Sequence, residues 1–546
     1  MIVMQNSIKT INDVAREIGL SEYTENYGNE IAKISLFSLD RPGKEKGKLI
    51  LVTATNPTPS GEGKTTTVIG LGQSLKLLGK KVGIAIREPS LGPCFGIKGG
   101  ATGGGKSSVE PSDRINLIFT GDFPAISAAH NLLSALINNH IYHGNELRID
   151  PKRIIFPRTV DMNDRSLRQI IVGAGGRDTG AMTGDNFVIV PASEIMAILG
   201  LSRSYKDLKD RLGKITVAFS YEGKPVFASD LKANGAMAAI LVEALKPNLV
   251  MTTEGVPAFI HTGPFGNIAH GTSSIIADKI ALSHLDYVVT EAGFGSDLGA
   301  QKFFDIVTRE AELEVSAVVI VSTLKAIKYN GKADVDKNVS DVIEDGFKNL
   351  RRHVEIIRSY GFEPIVSINM FDNDDPSEIE ILGNLLKSNS IKHSMTRFYQ
   401  EGGKGGIDLA NSVLQNIKPE STKPNYTYSK EESPEEKINR IAKRIYGAKS
   451  VIYSEQAKKD LRQIKKIGLN NLHVCIAKTQ YSLSDDPGLL GAPSDFVCKV
   501  SRINISSGAG FIIPVMGDVM LMPGLPKRPA SEEIDISEDG IISGLK

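Results

Sequence analysis

The stretch Thr58-Pro-Ser-Gly-Glu-Gly-Lys-Thr65 stands between an apolar run, Leu49 to Val52, and a segment whose Val68, Leu71, Leu75 and Leu78 fall at helical spacing. Strand, glycine-bearing turn and helix in that order predict a phosphate loop. Its glycines let backbone N–H groups converge on phosphate oxygens, and the positive end of the helix beginning near Lys64 adds to the attraction. In such a loop Lys64 reaches the β- and γ-phosphates and the Thr65 hydroxyl reaches Mg2+. Thr58 replaces the first glycine of the usual pattern, so the motif is a variant. The competing reading is a glycine-rich turn with an ordinary surface lysine; the flanking strand and helix favour phosphate. The motif alone fits kinases, ATPases, GTPases and ATP-dependent ligases equally.

Outward from the loop, Gly79 ends the helix and Val82 to Ile86 reads as the next strand, which completes one βαβ unit. Apolar runs recur as FVIVPAS (187–193), ITVAF (215–219), NLVMTTEG (248–255), LDYVVTEAG (285–293), AVVIVST (317–323) and PIVSINM (364–370), with helix-patterned segments between them. This alternation predicts an α/β fold with a doubly wound, mostly parallel sheet. Residues 1–47 read as a helix followed by a polar, basic stretch, and 418–436 read as a loop or linker rich in Pro, Ser, Thr and charge. A chain of 546 residues exceeds what one core usually serves. The expected division is a large nucleotide-binding α/β domain over 1–350, a second α/β domain over 351–510 and a small segment over 511–546.

With 64 basic against 63 acidic residues, the chain has no global field to hold nucleic acid or an anionic membrane, so its partners are expected to be small. Cys94, Cys475 and Cys498 show no metal-type spacing and suit a reducing cytoplasm. Acids early in the first twenty residues argue against a signal peptide, and no run of eighteen apolar residues follows. The reading is a soluble, unexported protein.

Directly after the second strand comes Arg87-Glu-Pro-Ser-Leu-Gly-Pro-Cys-Phe-Gly, which runs on to Gly105 and leaves the same sheet edge as the phosphate loop. A guanidinium there offers paired donors to a second anion such as a carboxylate. Equally open is a solvated Arg87–Glu88 pair in a mobile glycine loop.

The strings TPSGEGKTTT, REPSLGPCFGIKGGATGGG, INLIFTGD, VDMNDRSLR, KPNLVMTTEGVPAFIHTGPFGNIAHG, VVTEAGFGSDLGAQKFFD, AKTQYSLSDD and MPGLPKRPA, in this order, resemble the formate–tetrahydrofolate ligase family over nearly the whole chain. The resemblance implies ATP-dependent ligation of formate to tetrahydrofolate in one-carbon metabolism, giving 10-formyltetrahydrofolate, ADP and phosphate through formyl phosphate. It implies that Thr58, Pro59, Ser60, Gly61, Glu62 and Gly63 surround ATP and that Lys64 holds the transferring phosphoryl group. Thr65 and Thr66 serve Mg2+ and phosphate, and Arg87 holds formate or formyl phosphate. Glu88 and Asp122 match residues around the family's monovalent-cation site, for K+ or NH4+, or its active-site floor. A homotetramer is also implied.

For the pterin, the resemblance points to Phe371 and to Tyr399, where a tryptophan is common in the family; this chain has no tryptophan. Ordinary core packing of both rings is the alternative. The glycines after Tyr399 suit a loop that closes on substrate. Pro124 stands where the family often has histidine, and Lys106 where an aromatic residue is common; Pro124 weighs against a histidine acid–base proposal.

Other features read as structural. His261 and His270, nine residues apart, match no zinc pattern and are expected to fix their loop by hydrogen bonds. The string Asp372-Asn-Asp-Asp-Pro376 reads as a solvated turn. Glu291 and Asp297 are candidates for organising loops or facing the folate, and Cys94 has no role in the implied chemistry. Two rival functions remain, a phosphate-loop ATPase driving a conformational cycle and a nucleotide-dependent assembly factor, and formate dependence separates them from a ligase.

Overall fold

The computed structural model describes residues 9–40, 47–59, 61–96, 101–332, 338–417 and 423–545. The predicted unit is present as β1 (Lys48–Ala54), α1 (Lys64–Leu77) and β2 (Val82–Ile86). Helix α1 stops as expected: Gly79 follows the cap Leu78 at φ 73°, its N–H donates to Lys76 O at 2.9 Å, and Lys80 N–H donates to Leu75 O at 3.0 Å.

Five further strands, β3 (Pro257–Ile260), β4 (Tyr287–Gly295), β5 (Val315–Ser322), β6 (Ile365–Asn369) and β7 (His393–Thr396), join them in the order β3-β2-β4-β1-β5-β6-β7. Every pairing along that path is parallel. Strands buried on both faces require continuous apolar runs, and β5 is buried from Val315 to Ser322. β1 lies inside the sheet between β4 and β5, so the loop after it opens at the carboxyl ends of three neighbouring strands. That edge is where open α/β sheets bind ligands.

Three apolar runs fold differently from the expectation of parallel strands in one sheet. Asn248–Thr252 joins the large sheet but antiparallel to β3, and Ala32–Ile34 and Thr24–Asn26 extend that antiparallel edge. Thr216–Ser220 pairs antiparallel with Ile149–Ile154 and Pro225–Phe227 in a separate small sheet, and Phe187–Ile189 pairs with Arg158–Val160. A short apolar run specifies a buried strand without specifying its partner.

The large sheet continues past residue 350, because β6 and β7 extend it beyond β5. A four-stranded sheet built from Ser450–Tyr453, Val497–Ser506, Phe511–Met516 and His473–Val474 follows. The amino-terminal helix is limited to Ile11–Ile18, held by a Thr10–Asp13 capping box. Of the stretch 418–436 read as loop or linker, 423–433 is indeed irregular but packs into the protein, and residues 418–422 lie outside the described residues. Tyr428 is buried, the Arg309 guanidinium lies 3.9 Å from the Tyr426 ring centre and 4.9 Å from that of Tyr428, and a helix starts at Pro434. Among the described residues no helix is long and apolar enough to cross a membrane.

Candidate active site

Gly63 ends the turn at φ 69° and Lys64 begins α1, so a residue in the left-handed region delivers the helix N-terminus directly to the loop. A Cβ at Gly63 would come within 2.5 Å of the Asn369 side-chain nitrogen, so only glycine fits there. Gly63 supplies no side-chain cap, which leaves the first N–H groups of α1 to an anion. Pro59 and Gly61 are exposed, Lys64, Thr65 and Thr66 are half-buried, and Ser60 lies outside the described residues.

Glu62 turns inward. Its carboxylate accepts from Thr58 N–H at 2.7 Å and from the Thr323 hydroxyl, and burial pushes its pKa up. It braces the loop from below, with Thr58 buried above it. This gives Thr58 a reason the motif does not: its backbone carries the brace, and Gly61 N–H closes the turn on Thr58 O at 3.0 Å.

The end of β4 gathers the charged side chains. Arg87 Nε donates to Glu291 Oε1 at 2.9 Å, and Thr65 Oγ1 donates to Glu291 Oε2 at 3.1 Å. Lys64 Nζ donates to the Phe294 carbonyl at 3.3 Å. Burial drives the Glu291 pKa up, but Arg87, Lys64 and the two hydrogen bonds outweigh it and hold the carboxyl below its ordinary range. Two cations, one carboxylate and a helix N-terminus therefore meet at one strand end, an excess of positive charge suited to an anionic ligand.

The solvated Arg87–Glu88 pair does not form. Glu88 is buried, and burial together with the neighbouring Asp122 carboxylate pushes its pKa well above the usual value. Holding its proton, Glu88 shares a side-chain hydrogen bond with Asp122. Asp122 accepts from Lys33 Nζ at 2.6 and 2.7 Å and from Asn248 Nδ2 at 2.9 Å. Lys33 carried no sequence signal, since it sits within the apolar Ala32–Ile34 strand.

Phe371 is 37% exposed and Tyr399 57%, so neither is a core residue. Phe371 lines a cavity of about 880 Å3 together with Gly61, Leu324, Tyr329 and Leu490, which brings the phosphate loop and one aromatic face together; Tyr399 is not part of that lining. Asp372 links the two aromatic segments by accepting from Arg397 and Gln400 at 3.3 Å each. Asp374 accepts from Phe371 N–H, and Asp375 caps the helix beginning at Pro376. The acidic string is thus a bracing turn.

The expectation of a mobile glycine loop after Tyr399 is also corrected. Gly403 O accepts from Ser74 at 2.6 Å, Gly403 N–H donates to Glu254 at 3.0 Å, and the buried Phe398 ring packs against Gly70 of α1. The glycines serve close approach to α1. Lys106 N–H donates to Tyr399 O at 2.9 Å, so the second departure from the family pattern lies beside the aromatic ring.

His261 fixes its loop as expected, with Nδ1 2.6 Å from Ser274 Oγ and Nε2 2.7 Å from Ala244 O. His270 does not: it is buried against Gly200, and neither ring nitrogen has a hydrogen-bond partner among the described residues. Burial pushes the Cys94 thiol up to about 12, which disfavours the thiolate at neutral pH. Among the described residues no group of three or more His, Cys, Asp or Glu could hold a metal ion.

The sequence model of one family, described as formate–tetrahydrofolate ligase, matches residues 1–546. A formate–tetrahydrofolate ligase of Thermoplasma volcanium is 60% identical over 539 residues, covering 98% of this chain and 100% of that protein. The corresponding protein of Picrophilus torridus is 57% identical over 526 residues, 96% of this chain and 98% of its own length. That of Caldicellulosiruptor saccharolyticus is 51% identical over 544 residues, 98% of each chain.

Proposed function

This chain belongs to the formate–tetrahydrofolate ligase family, and on that premise we propose how its residues divide the work of joining formate to tetrahydrofolate at the expense of ATP. The observation that carries the reading is the single Glu291 carboxylate bonded to both Thr65 and Arg87, which sets the phosphate loop and an anion-holding arginine one side chain apart.

The triphosphate of ATP lies along the loop from Thr58 to Thr66, against the N-terminus of α1, with Lys64 on the γ-phosphoryl group. Mg2+ would be held through the Thr65 hydroxyl with Glu291 behind it, and would neutralise phosphate charge. Arg87 orients formate so that one of its oxygens attacks the γ-phosphorus; the bond to ADP breaks and formyl phosphate forms. Formate is already a nucleophile, so positioning and charge neutralisation suffice for this step. The N10 nitrogen of tetrahydrofolate then attacks the formyl carbon, phosphate leaves with the oxygen that came from formate, and the nitrogen loses its proton.

Phe371 and Tyr399 offer the pterin faces for stacking, with tyrosine giving less area than tryptophan. A monovalent cation, K+ or NH4+, would be held by the Glu88–Asp122 pair of carboxyls, where Lys33 already supplies one positive charge to Asp122. In this reading residues 1–350 bind nucleotide and formate and 351–510 contribute the folate side, with Phe511–Met516 completing the sheet of that second part. The family resemblance is the basis for a cytoplasmic homotetramer.

The test is incubation with ATP, Mg2+, formate and tetrahydrofolate, followed by acidification to form the methenyl chromophore. ADP release that requires formate, together with the chromophore, is expected. ADP release indifferent to formate, with no chromophore, would replace this reading with an ATPase.

A further inference from the structure

We propose that Lys478, contributed by the C-terminal part of the chain, is a positioning residue for the phosphate loop, acting through Asp297 and Asn56. The role rests on the reading that the loop holds ATP.

Asn56 is the residue through which β1 hands the chain to the loop, and it is fully buried. Its backbone N–H lies 3.1 Å from His353 Nε2, and its side-chain oxygen accepts from Asn349 Nδ2 at 2.9 Å. Its side-chain nitrogen donates to Gln480 O at 3.1 Å and reaches Asp297 Oδ1 at 3.5 Å. His353 is held in turn by Ser296, whose Oγ lies 2.7 Å from Nδ1. The backbone N–H and side-chain amide of Asn56 are therefore held by groups from the β4 end, the Val339–Ser359 helix and the C-terminal segment.

Asp297 pairs with Lys478 at 2.8 Å, and both side chains are 0% exposed. The Lys478 ammonium also donates to Ser482 O at 2.5 Å and Thr479 O at 3.1 Å and lies 4.9 Å from the Tyr446 ring centre. A buried ion pair of this kind gives weak net stability but one definite geometry. The geometry bears on the reacting groups because a single stretch of chain carries both. Glu291 contacts Thr65 and Arg87, the Phe294 carbonyl receives Lys64, and Ser296 and Asp297 follow at once. A Cβ at Gly295 would come within 2.5 Å of Asp297 Oδ1 and within 3.1 Å of His353, so this stretch has little room to shift. Moving Asp297 therefore moves Asn56 on one side and the Lys64 acceptor on the other.

Removing Lys478 alone leaves a buried unpaired carboxylate, and such a protein can fail to fold. The test uses the neutral double variant Lys478→Met with Asp297→Asn, and separately Asn56→Ala, which keeps the ion pair. Melting temperature, kcat and KM for each substrate, and MgADP affinity by calorimetry are measured on the full chain. In each folded variant kcat/KM for ATP and MgADP affinity are expected to fall about tenfold or more, with KM for tetrahydrofolate within about twofold of the parent. Folded variants that keep both nucleotide values, or that lose all three substrates alike, would overturn the proposal. If the double variant does not fold, Asn56→Ala decides alone. A parent protein without formate-dependent turnover would sink the ligase reading, while the MgADP titration still reports on the loop.

Discussion

Glu291 Oε1 accepts a hydrogen bond from Arg87 Nε at 2.9 Å, although the two residues are 204 positions apart. The same carboxylate receives Thr65 through its other oxygen, so it sets the spacing between Thr65 and Arg87. Glu291→Gln keeps the shape and removes the charge that orients Arg87. Its kcat/KM for formate is expected to fall between about tenfold and a hundredfold, with MgADP affinity changing much less; Arg87→Ala should do the same more severely. Steady-state kinetics with formate varied checks this. Parent kinetics in Glu291→Gln would show that the carboxylate is structural only.

Tyr399 owes its position to a glycine. Gly105 sits at φ 59°, and a Cβ there would overlap the Tyr399 carbonyl oxygen and ring. Gly105→Ala should displace the ring and raise KM for tetrahydrofolate, leaving KM for ATP unchanged. Tyr399→Ala should raise the same constant by about threefold to tenfold, the worth of one aromatic stacking contact, and Tyr399→Trp should lower it. If Tyr399→Trp binds tetrahydrofolate no more tightly than the parent, the stacking role is lost.

Buried acids and buried histidines set opposite pH slopes. Burial pushes Glu194, which accepts from Gly508 and Ala509 N–H groups, up to about 8 and Asp278 up to about 7. The folded chain holds these protons more tightly than the unfolded one, so their contribution is complete below the ordinary carboxyl values and is lost as pH rises through the folded ones. Burial lowers His130, His261 and His353 to about 4, so the unfolded chain binds more protons between there and 6.5, and stability rises with pH over that window. Above 6.5 the three histidines add little more, while Glu194 and Asp278 go on titrating. The melting temperature should therefore fall from pH 6.5 to 8, and Glu194→Gln should flatten that fall. An unchanged slope in Glu194→Gln would remove this carboxyl as a cause.

The βαβ unit was legible because its signals are local: Gly63 at a left-handed position, Lys64 at a helix start and Gly79 at its end all lie within one short segment. The mostly parallel sheet was legible for the same reason in β4, β5 and β6. Sheet membership was not, since Thr216–Ser220 reads as apolar as any strand of the large sheet yet pairs elsewhere. Glu62 sits inside the motif but faces inward, which spacing cannot reveal. Lys33, Asn56, His353 and Lys478 act through partners far along the chain, and a buried lysine in an apolar strand leaves no periodic trace. The glycines from Gly402 to Gly406 looked like a hinge because glycine marks freedom and close packing with the same letter.

The central claim is that ATP activates formate itself, with Arg87 and Lys64 holding the two reactants in line. Its most direct test supplies formate labelled with 18O in both oxygens, together with ATP, Mg2+ and tetrahydrofolate, and examines the released phosphate by mass spectrometry. The predicted result is one labelled oxygen in each phosphate and the other retained in the formyl group, because formate oxygen bonds to phosphorus before the formyl carbon moves to nitrogen. Phosphate free of label, alongside formed 10-formyltetrahydrofolate, would contradict the account.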